Sequence, residues 1–355
     1  MVNARLTGLF LLVVLLMSSC STQDNLAFEK RFAAFKALFI EDGRVIDSGN
    51  NNVSHSEGQG YGMLFAVAAS DKVTFDALWH WTKQTLQRDD NLFSWRFRPC
   101  ESNNKRCIDD PNNASDGELL IAWALLRAYE KWGDSSYKND ATAIVAAVEE
   151  KLIATRGTYT VLLPGEFGFT DANSVQLNLS YWVFPAMSTI AQYSNSKAQW
   201  ESLFSSGISL LQESQFSSHK LPSDWLRLDE GNVVSLNNVL SPEYGFNAVR
   251  VPLHLAWSAS FMKDSGQAEQ LLSPYFKWWA QSTVPATLNL NTGERSGYGL
   301  TPGMTAIKTA VNSIAHNEDV QLTHDEAWPT FSRKTDYYSA SLTMLSMLAV
   351  MDSQS

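Results

Sequence analysis

Cysteine is nearly absent from these 355 residues: the chain holds three. Three thiols cannot build a disulfide-dense miniprotein or a zinc site of four thiolates. Charged residues are sparse at 18%, and basic ones sparser, with 27 Lys and Arg against 37 Asp and Glu and a net charge of −10. So acidic a chain lacks the clustered cations that grip a phosphate backbone, which excludes nucleic acid as a partner. Motifs are missing as well. There is no Gly-x-Ser-x-Gly elbow for a serine nucleophile and no repeat of fixed period. After residue 24 there is no linker and no low-complexity block. No segment beyond the N-terminus is apolar enough to span a bilayer.

What is present makes a core. Hydrophobic residues reach 45% and aromatic residues 12%, with 12 Trp. Such an excess of Trp calls for either a large core or a groove that stacks flat ligands.

The first twenty residues read MVNARLTGLFLLVVLLMSSC. One Arg precedes an apolar run from Leu9 to Met17, followed by small residues, which is a secretory signal in outline. Met17-Ser18-Ser19-Cys20 resembles a bacterial lipobox, in which Cys20 becomes the lipidated N-terminus; the alternative is ordinary cleavage nearby with Cys20 lost. Either way the expectation is an exported protein, whether a periplasmic or outer-membrane lipoprotein or a secreted one, touching a membrane only through a lipid anchor. Residues 21–355 then form a single domain. Cys100 and Cys107 flank a polar, turn-rich stretch; in an oxidising compartment they can bridge, and otherwise they stay two thiols.

Helical periodicity dominates. Apolar residues recur at three- and four-residue spacing over Asn25–Ile40, Gln59–Ser70, Lys72–Gln87, Gly117–Trp132, Lys138–Thr155, Tyr181–Tyr193, Ala198–Glu213, Asn247–Met262, Ala268–Ser282, Ala306–Ala315 and Asp336–Met351. Strand signals are few: Tyr159–Leu163 and Val233–Leu236. Leu119–Leu126, Val249–Trp257 and Ala340–Val350 are apolar nearly all round, so they belong inside with other helices wrapped around them. An inner and an outer ring of helices satisfies this.

Two segments carry candidate chemistry. Ser54-His55-Ser56-Glu57-Gly58-Gln59-Gly60-Tyr61-Gly62 reads plainly as a helix start with capping boxes; functionally, it sets a Glu beside three glycines that admit a ligand close to the backbone. Asn112-Asn113-Ala114-Ser115-Asp116-Gly117-Glu118 offers another capping box, with Asp116 in the first turn, where the helix dipole favours its charged form. An ionised Asp facing a protonated Glu is a glycosidase arrangement: the acid protonates the leaving oxygen and the charged partner holds the sugar or a water.

SEGQGYGMLFAVAASD (56–71) and NNASDGELLIAWALLRAYEKW (112–132) resemble the two signature stretches of glycoside hydrolase family 8. The resemblance continues, in order, through LLPGEFGF (162–169), Asn178-Leu179-Ser180-Tyr181, Pro222-Ser223-Asp224-Trp225, FNAVRVPLHLAW (246–257) and Asp336-Tyr337-Tyr338. Within the family it looks most like the periplasmic endoglucanases of bacterial cellulose synthesis. It implies an all-α (α/α)6 barrel with a few short strands, and cleavage of β-1,4-glucan with inversion. No cofactor is implied, and the partners are a β-glucan and the cellulose synthesis and export machinery. Glu57 falls on the general acid and Asp116 on the carboxylate at the central sugar. Tyr181 and Arg250 fall on residues lining the same site, and Trp95 on an aromatic platform. Where many members carry a general-base Asp, this chain has Asn247, and an amide cannot take a proton at neutral pH. Three outcomes stay open: another carboxylate serves, with Asp116 first, then Asp224 or Glu243; the base lies elsewhere; or the protein is a weakened enzyme that binds glucan. Related substrates (xylan, mixed-linkage glucan, chitosan) stay open too. His316-Asn317-Glu318-Asp319 and His324-Asp325-Glu326 fit no zinc template, so no metal is expected.

Overall fold

A computed structural model describes residues 23–100, 107–262, 265–318, 320–323 and 327–354. The signal segment and Cys20 therefore lie outside the described residues, as do Asp319, His324, Asp325 and Glu326. Eleven α-helices are found among the described residues: α1 (residues 23–39), α2 (Ser56–Ala68), α3 (Lys72–Thr85), α4 (Ser115–Trp132), α5 (Ser135–Lys151), α6 (Phe184–Tyr193), α7 (Lys197–Glu213), α8 (Val251–Trp257), α9 (Ser265–Trp279), α10 (Pro302–His316) and α11 (Tyr337–Gln354).

The helices sort by burial. In α8 every residue is buried, and in α2, α4 and α11 burial runs all round except mainly in the C-terminal turns, so they have no water-facing stripe along their length and must be surrounded. With α6 and α10 they form a ring, each touching the next and α11 closing onto α2. Helices α1, α3, α5, α7 and α9 wrap this ring. Each outer helix shows a single apolar stripe; in α1 it is Phe28, Phe32, Phe35 and Phe39. Phe35 meets Phe65 of α2 edge-on, with ring centres 5.3 Å apart, and also reaches Tyr337 of α11. Six inner helices and five outer ones make an (α/α)6 barrel. Between α10 and α11 the described residues carry no helix.

Short antiparallel strands decorate the helix starts. They are β1 (Ile40–Glu41), β2 (Arg44–Val45), β3 (Ser54–His55), β4 (Arg96–Phe97), β5 (Ile153–Arg156), β6 (Tyr159–Leu162), β7 (Ser174–Leu177), β8 (Leu226–Asp229), β9 (Val233–Leu236), β10 (Glu243–Tyr244) and β11 (Leu288–Asn289). Strands β7, β8 and β9 form one three-stranded sheet in sequence order; the others pair in twos.

Several elements depart from the periodicity. The apolar run 181–193 begins as a 3-10 turn (Leu179–Tyr181) and becomes α6 only at Phe184. Pro185 sits in the first turn of α6, where its missing N–H costs nothing. The run 247–262 is likewise a 3-10 turn (Ala248–Arg250) followed by the seven-residue α8, with Pro252 in its first turn. The capping boxes do not form. His55 and Ala114 occupy the N-cap positions of α2 and α4, and neither makes a side-chain cap. Gln59 is instead fully buried, accepting from the Val45 N–H (2.6 Å) and donating to Thr82 Oγ1 (2.7 Å).

Gly60 and Gly117 let the first turns of two inner helices approach closely. A Cβ on Gly60 would lie 2.6 Å from Leu120 Cβ, and one on Gly117 would lie 2.1 Å from Ser56 Oγ and 3.1 Å from the Glu57 nitrogen. The starts of α2 and α4 are thus in direct contact, and this contact sets the spacing of Glu57 and Asp116. Gly117→Ala forces the two helix starts apart. We expect a loss of about 1–3 kcal/mol, read as a lowered melting temperature together with reduced activity. An unchanged melting temperature would show that the two helix starts are not clamped.

Candidate active site

The inner helices begin at one end of the barrel, and the sequence-predicted residues collect there. Glu57 is the second residue of α2 and Asp116 the second of α4. Arg250 closes the 3-10 turn before α8, and Tyr181 closes the turn before α6. Their meeting point is the Arg250 guanidinium, whose side chain is 4% exposed. Nη1 contacts Glu57 Oε1, lies 3.1 Å from the Tyr61 hydroxyl and 3.4 Å from Asp116 Oδ2. Nη2 donates to Ser180 Oγ and to Asn247 Oδ1, both at 2.9 Å. Both carboxylates therefore stand within hydrogen-bond reach of one nitrogen.

Glu57 keeps an opening to solvent, with its side chain 21% exposed. It also accepts a hydrogen bond from the Tyr61 hydroxyl (2.9 Å), one helical turn along. Asp116 is buried, and its Oδ1 takes the Gly117 N–H at 2.9 Å. The helix dipole, which favours a charged Asp116, is opposed here by its surroundings. Burial first, and the nearby Glu118 second, push its pKa up to about 7. Glu118 is fully buried and is likewise pushed up to about 7 by burial. Its Oε1 accepts the Phe93 N–H (3.0 Å), which ties the strand-like segment before Trp95 to α4.

Asp224 is buried and its Oδ1 accepts three backbone N–H groups, from Gly245 (3.1 Å), Asn247 (3.0 Å) and Ala248 (2.8 Å). Burial nevertheless raises its pKa to about 6. In this arrangement Asp224 staples the turn that carries Asn247 and Arg250. Glu243 lies in β10, and its carbonyl accepts the Asp224 N–H. His254, behind Arg250, is held neutral: burial and then the Arg250 charge drive its pKa down to about 3.

Aromatic rings edge the site. Trp95 is half-buried; its indole N–H donates to Asp110 Oδ2 (2.8 Å) and the Arg96 guanidinium lies 4.4 Å from its ring centre. Its carbonyl accepts the Ser56 N–H at 3.0 Å, which places it beside Glu57 in the chain of contacts. Cys100 and Cys107 are joined in a disulfide, Cα atoms 5.7 Å apart, on the excursion that follows Trp95. The Tyr181 ring lies under Arg250 (5.9 Å) and meets Trp225 edge-on at 6.0 Å; Trp225 stacks parallel to Phe169 at 5.6 Å. Exposed Phe246 packs on Tyr338, whose hydroxyl donates to the Phe246 carbonyl.

Sequence reasoning missed Tyr61 and Ser180 as partners of Arg250. It also missed the Trp225–Phe169 pair and the burial of Glu118. Tyr61 was detectable, because four-residue spacing puts it on the face of Glu57. Trp123, Trp257 and Trp278 are buried in the core, which accounts for part of the Trp excess. A cavity of about 830 Å³ around Trp123, Arg127, Trp257 and Asp352 lies toward the C-terminal ends of the inner helices, away from Glu57 and Asp116. No group of three metal-ligating side chains occurs among the described residues.

A pair of carboxyl groups at the mouth of an (α/α)6 barrel, flanked by aromatic rings, is the layout of a glycoside hydrolase. The model for glycosyl hydrolases family 8 matches residues 7–352, and the chain belongs to that family. It is 39% identical over 280 residues to an endoglucanase of Cellulomonas uda, covering 77% of this chain and 75% of that one. Among solved structures, the endo-β-1,4-glucanase CMCax from Acetobacter xylinum superimposes with a TM-score of 0.81 at 35% identity, over 92% of this chain and 98% of that one. A family 8 endo-β-1,4-glucanase from an Achatina fulica gut metagenomic library gives 0.80 at 38% identity, over 90% and 96%.

The buried Glu118 gives a pH test. Its folded pKa is raised from 4.5 to about 7. The stability it adds is therefore complete below about 4.5 and lost as pH rises through about 7. Glu118→Gln keeps an acceptor for the Phe93 N–H and removes the titration. The melting-temperature difference, variant minus wild type, should grow by a few degrees in the variant's favour between pH 5 and pH 7.5, pH values chosen to bracket the shift. A difference that stays flat with pH would mean that Glu118 does not titrate there.

Proposed function

We propose that the protein is an endo-acting glycoside hydrolase that cleaves β-1,4-glucan, cellulose being the type substrate, with inversion of the anomeric centre. One observation carries the reading: Glu57 and Asp116, on adjacent inner helices, meet at a single nitrogen of Arg250 in a cleft edged by aromatic rings. Sugar rings have apolar C–H faces that suit such rings. A neutral chain is not repelled by a net charge of −10.

Glu57 is the general acid, giving its proton to the glycosidic oxygen as the bond breaks. The ion pair with Arg250 favours the carboxylate form. A sugar seated between the two must therefore loosen that pair before the acid can hold its proton. On the opposite face a water attacks the anomeric carbon, and its proton must go to a base. Asn247 cannot be that base. Its Oδ1 already accepts from Arg250, so the amide N–H₂ remains as a donor that can orient a water oxygen but cannot take its proton. Asp224 has one oxygen occupied by three backbone N–H groups. Asp116, poised near neutrality, is the first choice; its Oδ2 and Glu57 Oε1 meet on one Arg250 nitrogen, closer than the roughly 6.5–9.5 Å of an inverting pair, so the bound sugar and water must part them. Tyr181 and Trp95 are assigned to hold sugar rings, and Asp224 to fix the 245–250 turn.

A second reading, a glucan-binding protein weakened at position 247, is favoured by the same Asn247 geometry. The N-terminal sequence further supports export, with a lipid anchor at Cys20 and action in the periplasm beside the cellulose synthesis and export machinery.

Purified protein should release reducing ends from carboxymethyl cellulose. Glu57→Gln and Asp116→Asn should each lower that rate by about 10²–10⁴-fold; full activity in the Glu57 variant removes it from the mechanism. Asn247→Asp separates the two readings. We expect no large gain. A rise of orders of magnitude from a near-zero baseline would instead establish that the protein is disabled at that position.

A further inference from the structure

The sheet of β7, β8 and β9 has two unlike faces. Registers Leu177–Leu226–Leu236 and Val175–Leu228–Val234 point one row of apolar side chains inward. The alternate rows, Gln176–Arg227–Ser235 and Ser174–Asp229–Val233, point outward. One step further toward the catalytic end, Trp225 pairs with Asn237, whose N–H donates to the Trp225 carbonyl (3.3 Å). By strand parity Trp225 therefore shares the outward face with Arg227 and Asp229. Trp225 is also the ring that meets Tyr181 and stacks on Phe169. The outward face is thus continuous with the rim of the active site.

That face holds a cavity of about 500 Å³ lined by Gln176, Arg227, Ser235, Asn237 and Asn238 among others. Its chemistry is specific. Asn237 Nδ2 donates to Gln176 Oε1 (3.1 Å), which fixes the Gln176 amide with its N–H₂ group left to donate. Asn237 Oδ1 is taken by the Val239 and Leu240 N–H groups, so the arrangement is rigid. Arg227 is compensated by Asp229 at 2.6 Å while its side chain stays 44% exposed, so the groove offers no free cation for an anionic ligand. Fixed amides, a hydroxyl and a compensated guanidinium suit the hydroxyl groups of a neutral sugar. Two residues along β8 span about 7 Å at ~3.4 Å each, a little over one sugar ring.

We propose that the glucan cleft extends past Tyr181 and the Phe169–Trp225 pair onto the outward face of the β7–β8–β9 sheet, where Gln176, Arg227 and Asn238 bind further glucose units of the same β-1,4-glucan chain. This rests on the glucanase reading of the site. The extension makes long chains better substrates than short ones.

The test compares kcat/KM for cellotetraose, cellopentaose and cellohexaose in wild type, Arg227→Ala, Asn238→Ala and the double variant. Both side chains are exposed, so folding is checked simply by melting temperature. In wild type kcat/KM should rise with chain length. In the double variant the ratio of cellohexaose to cellotetraose should fall roughly tenfold. Calorimetric binding of cellohexaose to Glu57→Gln, with and without Arg227→Ala, should show the same loss. Ratios and affinities unmoved by the substitutions, or activity lost equally at every length, overturn the extension. A wild type that cleaves none of the three overturns the glucanase reading itself.

Discussion

A cation taken out of water is costly, and Arg250 is a cation with almost no solvent contact. Such a charge is tolerable only if anions and hydrogen-bond acceptors surround it in fixed places. Here they come from four separate elements: Glu57 and Tyr61 from α2, Asp116 from α4, Ser180 from the turn before α6, and Asn247 from the turn before α8. The guanidinium therefore does two jobs with one set of contacts. It closes one end of the inner ring, and it brings within reach of one another the two carboxyl groups to which we assign hydrolysis. Removing either carboxylate leaves a buried charge short of a partner, so a substitution at either position perturbs the packing of the cluster as well as the proposed chemistry.

The precision of the cluster comes from how its members are mounted. Glu57 and Asp116 ride on the first turns of long buried helices whose separation is set by glycine contacts. Ser180 and Asn247 ride on 3-10 turns, which would be loose by themselves. Each turn is stapled by a buried Asx side chain. Asn178 Oδ1 accepts the Ser180 N–H (3.1 Å) and hydroxyl (2.7 Å), and Asp224 Oδ1 accepts three N–H groups around Asn247. Both staples complete groups that burial would otherwise leave unpaired. The buried Asp224 that resembles a site residue in sequence thus supports the site from behind.

The helices were legible because burial on one stripe or all round writes a periodicity into the chain. The inner ring was legible for the same reason: Leu119–Leu126 and Ala340–Val350 have no polar face. Glu57, Asp116 and Arg250 were legible through ordered motifs. What stayed hidden was anything decided by tertiary packing. Gln59 and Glu118 fit capping boxes by spacing, yet packing draws Gln59 to the Val45 N–H and Glu118 to the Phe93 N–H. Tertiary packing also sets the titration of Asp116: the dipole of one helix is a weak local influence, and complete burial beside Glu118 works against it. The six two-residue strands are too short to show any alternation, and β5 was hidden because its first residues continue the apolar spacing of α5.

Asn247 changes the electrostatics of the cluster as well as its proton inventory. An Asp at that place would put a third carboxylate on the same guanidinium, and each added anion raises the pKa of the others. With an amide there, Arg250 is shared between two carboxylates and its Nη2 is satisfied by a neutral oxygen. Asp116 then ionises more readily than it would beside an acidic neighbour, against the upward push of burial and Glu118. The substitution that removes one candidate base thus makes another more competent. The neutral His254 behind Arg250 fits the same balance, since a second buried cation there would compete for the few anions the pocket contains.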